Sequence, residues 1–202
     1  MSSDSIVQPY RRGVLFTLVG PSGVGKTTVL RHMEDRLGAQ CAPKYTTRPS
    51  RNTEADARDF VFCDAARFPA TRILRFESYG HWFGIQLQEI DRSLDCGVCH
   101  VIVAGDSDVA RRLSEIYGDQ MVSIFIFCEL SVLRARSFGV GSDRVDRWSR
   151  VCNEVEAIYE QFGTVQFVVN NSGSIEDTLM QVDRVWNWVT SAQVGLREVT
   201  HG

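Results

Sequence analysis

The segment Gly20-Pro-Ser-Gly-Val-Gly-Lys-Thr27 constrains this chain more than any other part of its sequence. It fits the pattern G-x4-G-K-[ST]. An apolar run precedes it, Val14-Leu15-Phe16-Thr17-Leu18-Val19, and a helix-like stretch from Thr28 to Leu37 follows. Strand, glycine turn and helix form the context in which this pattern cradles phosphate, and that context disfavours the plainer reading of a glycine turn before an ordinary helix. Gly20, Gly23 and Gly25, with Ser22 and Val24 between them, allow the turn to point its N–H groups inward. The N-terminus of the next helix, at Thr27 and Thr28, adds partial positive charge at the same place. Lys26 can reach the β- and γ-phosphates, and the Thr27 hydroxyl can hold Mg²⁺. The expected ligands are therefore a nucleoside triphosphate and Mg²⁺.

Strand-like runs fall near 14–19, 59–62, 98–104, 121–127 and 165–169. Helical patterns fall near 26–37, 86–95, 106–117, 130–137, 143–161 and 174–190. Alternation of this kind predicts an α/β fold of the P-loop NTPase type, three layers with a central parallel sheet covered on both faces. The stretch 41–85 differs: it is rich in Arg, Thr and Asp, holds only short strand-like pieces, and reads as an inserted acceptor-binding lobe. Ser137-Phe-Gly-Val-Gly-Ser142 interrupts two Arg-bearing helices and reads as the hinge of a short lid, about 134–147. Residues 1–12 read as a flexible leader, 13–190 as the domain, and 191–202 as a tail.

A formal net charge of −3 gives no basic signature for nucleic acid. No apolar run is long enough to span a bilayer, so no membrane partner and a cytoplasmic location are the default expectations. The six cysteines are then expected to be reduced. Cys96-Gly-Val-Cys99-His100 matches a haem-attachment pattern and half a zinc site. It has no second CxxC and runs straight into the strand-like His100-Val-Ile-Val-Ala104, so cysteines at a strand entry are the better reading. Only Lys26 and Lys44 are lysines; every other cationic side chain is Arg. Arginine suits bidentate phosphate recognition.

Downstream of the loop, Thr46-Thr-Arg48-Pro-Ser-Arg51, Glu54 and Asp59-Phe60-Val-Phe62 follow the spacing T-T-R-x-x-R-x-x-E then D-Y-x-F. Gly80-His-Trp82-Phe83-Gly84 is similar to G-N-Y-Y-G, and the end of the chain adds Glu156 to Tyr159 and Val168-Val-Asn170. On these motifs residues 13–190 resemble the guanylate kinases and their relatives. The resemblance implies that Arg48 and Arg51 grip an acceptor phosphate through charge-assisted bonds. Phe60 and Phe83 stand where the family carries tyrosines. The lid arginines Arg134, Arg136 and Arg147 would close over the transferred group, with Arg144 and Arg150 as further candidates. Asp106 would bind Mg²⁺ through water or orient the acceptor, with a helix N-cap as an equal alternative. Asn170 falls on the cofactor side. Trp82 lies in the acceptor segment, where it can stack or simply pack.

Three positions that read guanine in the family differ together here: Lys44, Leu74 (with Glu77 close by) and Ile85. A site that hydrogen-bonds a base discriminates only while its polar groups are present, so weak use of GMP is the expectation. A sister group, the ribose 1,5-bisphosphate phosphokinases, also has an aliphatic residue at the position of Ile85. Its V-N-G-S-like turn and closing N-N-D-G-S resemble Val103 to Asp106 and Asn170-Asn-Ser-Gly-Ser174. The implied function is an ATP- and Mg²⁺-dependent phosphotransferase acting on a phosphorylated metabolite or nucleotide. Guanylate kinase proper, a ribose 1,5-bisphosphate phosphokinase and a non-catalytic nucleotide-binding module are the alternatives; Lys26 argues against the last. No N-K-x-D motif supports a GTP-hydrolysing switch. Dimers occur in the family, which leaves a homodimer open.

Overall fold

The structure, a computed structural model, describes residues 12–41, 43–50, 59–78, 80–104, 107–137, 148, 152 and 165–195. The strands are β1 (Leu15–Val19), β2 (Lys44–Thr46), β3 (Phe60–Phe62), β4 (Ile73–Ser78), β5 (His81–Gln86), β6 (His100–Val103), β7 (Met121–Phe127) and β8 (Phe167–Asn170). The helices are α1 (Lys26–Leu37), α2 (Leu87–Asp95), α3 (Ser107–Tyr117), α4 (Leu130–Ser137) and α5 (Ile175–Gly195). The expected helix over 143–161 lies outside the described residues, apart from residues 148 and 152.

The main sheet has the order β6-β1-β7-β8, and every pair in it is parallel. Every residue of β1 is buried, as expected for a strand covered on both faces. On one face Phe16, Leu18, Ile124, Ile126 and Val169 pack against α1 and α5 through Val29, Leu30, Met33, Val182 and Val189. On the other, Leu15, Val19, Ile102, Met121 and Phe125 pack against α2 and α3 through Leu87, Ile90, Leu94, Val109 and Leu113. These are the three layers that the alternation predicted. The polar Thr17 and Ser123 face each other inside the sheet at 2.8 Å, so neither buried hydroxyl lacks a partner. Phe16 stacks on Trp186 of α5 with centroids 5.0 Å apart; Phe16→Ala would cost about 3–5 kcal/mol.

The lobe is a second, four-stranded sheet with the order β3-β2-β5-β4. β2 pairs parallel with β3 and antiparallel with β5, and β4 and β5 form an antiparallel hairpin. The sequence predicts β3 within 59–62, whereas β2, β4 and β5 carry only weak strand signals. Alternation in β4 and β5 is blurred because both faces of the hairpin carry apolar residues.

The register sorts the lobe's side chains. Thr46 lies opposite Phe83, Phe83 opposite Phe76, and Ile85 opposite Leu74. Lys44 pairs with Phe60, and Thr46 with Phe62. Partners in register share a face, so these residues form one inner face. Leu74 and Ile85 join the core beneath the main sheet, with Phe76 packed against it. The outer face is capped by Phe68, which meets Tyr45 at 5.8 Å and lies 5.7 Å from the Arg75 guanidinium. Polar tethers fix the lobe to the main layers. Arg72 grips Asp91 of α2 at 2.7 Å, Arg112 of α3 donates to Arg75 O at 2.9 Å, and Asp59 pairs with Arg31 of α1.

Candidate functional site

The phosphate-binding pattern falls at the C-terminal edge of β1, where the chain turns into α1. Two glycines are required there by contact as well as conformation. Gly20 has φ 145°, and a Cβ on it would stand 2.6 Å from Ile126 O of β7. Gly25, with φ 102°, caps α1, and a Cβ there would stand 2.5 Å from Asn171 Nδ2. Any side chain at either position collides with the floor of the loop. Val24 is fully buried and anchors the turn from below. Ser22 is half-buried, while Gly23, Thr27 and Thr28 are exposed on the open side. Lys26 Nζ folds back over the turn and donates to Gly20 O at 2.6 Å and Pro21 O at 2.8 Å. A glycine turn, a helix N-terminus and an ammonium group therefore meet at one place, the combination that suits phosphate oxygens.

The lobe's inner face meets the same edge. Lys44 Nζ donates to Val103 O, the last residue of β6, at 3.1 Å. Val103 pairs with Leu18, two residues before Gly20. Lys44 Nζ also lies 5.3 Å from the centre of the Phe60 ring, and the Arg48 guanidinium lies 5.0 Å from the same ring and 5.4 Å from Phe62. Phe60 meets Phe83 edge-on at 6.2 Å, and Phe83 stacks on Phe76 at 5.4 Å. Two cations over an aromatic floor give a surface that attracts an anion and packs a flat or apolar group. Burial pushes the Lys44 pKa down, and the Asp59 carboxylate partly opposes that. Arg48 is set by its turn: its N–H donates to Thr46 Oγ1 at 3.1 Å, and its Nη1 donates to Pro49 O at 3.0 Å.

Several expected site residues stand elsewhere. Glu77 and Trp82 pair across β4 and β5 on the outer face, so the register separates them from Lys44, Phe60 and Phe83. Trp82 is 47% exposed. Side chains alternate across a strand, so Trp82 and its neighbour Phe83 cannot serve the same surface. Asn170 ends β8, and its Oδ1 accepts from Ser172 N at 2.9 Å. The residue that touches the loop is its neighbour Asn171. Arg134 lies over the Trp148 ring at 5.9 Å, and Arg136 Nη1 is 3.7 Å from Cys128 Sγ at the end of β7. Arg136 thus sits at the loop's edge of the sheet, while Arg134 packs toward Trp148. Arg51, Asp106 and Arg147 lie outside the described residues. So do Arg144, Arg150 and residues 138–147 of the expected lid.

The Cys-x-x-Cys-His segment does sit at a strand entry. Cys96 is exposed, Cys99 half-buried, and His100 opens β6 in the core. No group of metal-ligating side chains occurs among the described residues. No helix among them is long and apolar enough to cross a membrane.

Comparison with known proteins agrees with this geometry. The sequence model of a family described as "Guanylate kinase" matches residues 12–187. A guanylate kinase of Chromohalobacter salexigens is 32% identical over 68% of this chain and 66% of its own length. One from Bradyrhizobium diazoefficiens is 34% identical over 57% of this chain. The matched segment spans only 55% of that relative's length. Among solved structures, a guanylate kinase from Anaplasma phagocytophilum superposes with a TM-score of 0.65 at 25% identity, covering 93% of each chain. A gluconokinase from Sinorhizobium meliloti has a TM-score of 0.56 at 16% identity over 95% of this chain and 99% of its own, which is a likeness of fold alone.

Proposed function

This chain belongs to the guanylate kinase family, and we propose that it transfers the γ-phosphoryl group of ATP to the phosphate of GMP. The observation that carries the reading is the meeting of two anion-attracting surfaces at one sheet edge: the loop at Gly20–Thr27 and the Lys44–Arg48–Phe60 face, linked by the bond from Lys44 to Val103 O. One surface suits the donor and the other the acceptor.

The transfer needs alignment and charge more than covalent help. Loop N–H groups and Lys26 hold the donor phosphates, and Thr27 at the head of α1 is the side chain placed to hold Mg²⁺. Mg²⁺ held there would supply positive charge against the negative charge of the transferring phosphate. Arg48 fixes the acceptor phosphate. One of that phosphate's oxygens forms a bond to the γ-phosphorus as the bond to the β–γ bridging oxygen breaks, and ADP leaves. The acceptor is already ionised, so no side chain has to remove a proton.

Lys44 gives GMP a physical basis despite the altered positions. An ammonium group only donates, and guanine presents two acceptors, O6 and N7, on one edge, where adenine presents a donor at N6. Lys44 therefore favours guanine over adenine without the small polar residue the family uses. On this reading Lys44 makes up for the missing polar residue, against the weak use of GMP expected from the sequence. The relatives named above are themselves guanylate kinases. One observation favours a second reading: Leu74 and Ile85 are buried and apolar, so no polar group on them meets the rest of a base. A ribose bisphosphate would set its second phosphate against Lys44 instead.

The test is ADP release by purified protein with ATP, Mg²⁺ and, separately, GMP, dGMP, AMP, UMP, CMP and ribose 1,5-bisphosphate. GMP is expected to turn over fastest. Faster turnover of ribose 1,5-bisphosphate would replace the first reading with the second. Silence across the panel would sink both and leave a nucleotide-binding module.

A further inference from the structure

Asn171 stands one residue beyond β8 and is 4% exposed. Its backbone is pinned by N–H donation to Phe127 O at 2.7 Å. Its side-chain Nδ2 donates to Val24 O, in the middle of the phosphate loop, at 2.8 Å. The Thr178 hydroxyl, fully buried at the start of α5, lies 2.8 Å from Asn171 Oδ1. Chemistry fixes the orientation of the amide. An oxygen turned toward Val24 O would set two acceptors face to face, so nitrogen faces the loop and the Thr178 hydroxyl donates to Oδ1. Thr178 Oγ1 also lies 3.0 Å from Ser174 O and 3.4 Å from Asn170 O, and its shortest contact is the one to Asn171.

The bond acts on one peptide plane. In a trans peptide the C=O of Val24 and the N–H of Gly25 point in opposite directions. Holding Val24 O toward Asn171 therefore turns the Gly25 N–H toward the other side, where the loop curls. Gly25 immediately precedes Lys26, and its missing side chain leaves the space that the Asn171 amide approaches. Further along the same helix, Asp183 binds His32 of α1 at 2.6 Å and Trp186 stacks on Phe16 of β1. Helix α5 thus braces the strand, the loop and the helix of the phosphate site at three successive points.

We propose that Asn171 and Thr178 are positioning residues for the donor phosphates: Thr178 orients Asn171, and Asn171 holds the Val24–Gly25 peptide in its phosphate-binding orientation. The proposal rests on the loop's binding ATP, and not on the identity of the acceptor. Thr178→Val keeps the shape and removes the hydroxyl, Thr178→Ser keeps the hydroxyl, and Asn171→Ala removes the brace.

The experiment is calorimetric titration of the full chain and each variant with ATP and Mg²⁺, alongside urea unfolding. Thr178→Val is expected to weaken ATP binding about fivefold and Asn171→Ala roughly thirtyfold, with Thr178→Ser within about twofold of the parent. A purely structural role would lower the unfolding midpoint and leave the affinity of the folded protein unchanged. Parent affinity in folded Thr178→Val and Asn171→Ala would overturn the proposal. If Asn171→Ala does not fold, the contrast between Thr178→Val and Thr178→Ser decides. A parent that binds ATP but phosphorylates no acceptor refutes the proposed reaction and leaves this test standing. A parent that does not bind ATP overturns the positioning role itself.

Discussion

The two halves of the proposed site, one for the donor and one for the acceptor, are made of different materials. The donor half is backbone: a turn whose conformation is forced by glycines pressed against Ile126 O and Asn171. The acceptor half is side chain: Lys44, Arg48 and a floor of Phe60, Phe62, Phe83 and Phe76, sorted onto one face by strand register. A backbone site tolerates few changes and keeps its ligand class. A side-chain site keeps its frame while single replacements change what it selects. Lys44, Leu74 and Ile85, where the chain departs from the pattern it resembles, all lie on the inner face.

The sharpest way to break this contrast is Lys26→Ala. Loss of the ammonium group should reduce kcat/KM for the proposed transfer about a thousandfold, measured by coupled ADP release, whichever acceptor is used. A variant with parent turnover would remove the donor half from the chemistry.

Next in size is a test of the main layers alone. Burial pushes the His100 pKa down from 6.5 to about 4. Between those values the unfolded chain binds the proton and the folded chain does not. Stability from this group is full above pH 6.5 and is lost as the pH falls toward 4. The fall amounts to on the order of 3 kcal/mol in urea unfolding, and His100→Gln should show a shallower one. Equal pH slopes for parent and variant would show that His100 is not held neutral by the fold.

A smaller effect should mark the acceptor half. Lys44→Ser is expected to change the preference for GMP over AMP by roughly ten- to a hundredfold while the KM for ATP stays within about twofold. An equal loss for both acceptors would mean that Lys44 supports the lobe rather than selecting its ligand. Smallest of all, Glu77→Ala and Trp82→Ala should leave the acceptor KM within about twofold, because both residues lie on the outer face. A large rise in KM for either would show that the outer face also takes part.

The legibility of the sequence follows the same division. The loop, the parallel strands and α1, α2, α3, α4 and α5 were readable because each rests on local signals: glycine punctuation, apolar runs and helical period. The lobe's hairpin was not placed, since Phe76, Trp82 and Phe83 give no clean alternation. Trp82 lies in the acceptor segment, and the sequence leaves stacking and plain packing both open. Pairing of β4 with β5 sends Trp82 and Phe83 to opposite sides. The resemblance puts Asn170 on the cofactor side, yet it is Asn171 that turns back to the loop. A buried Asn followed by Thr seven residues later was the available signal, but burial cannot be read from polar residues in a turn.

By itself, the sequence determined the phosphate loop, the layered α/β plan and the presence of a second, arginine-bearing segment. Those features depend on residue type and on spacing within one element. Only the tertiary structure decided which lobe residues share a face, that Lys44 reaches Val103 beside the loop, and that Asn171 and Thr178 brace it. Each of those contacts joins residues far apart in the chain, and no local propensity records which distant backbone oxygen a side chain will meet.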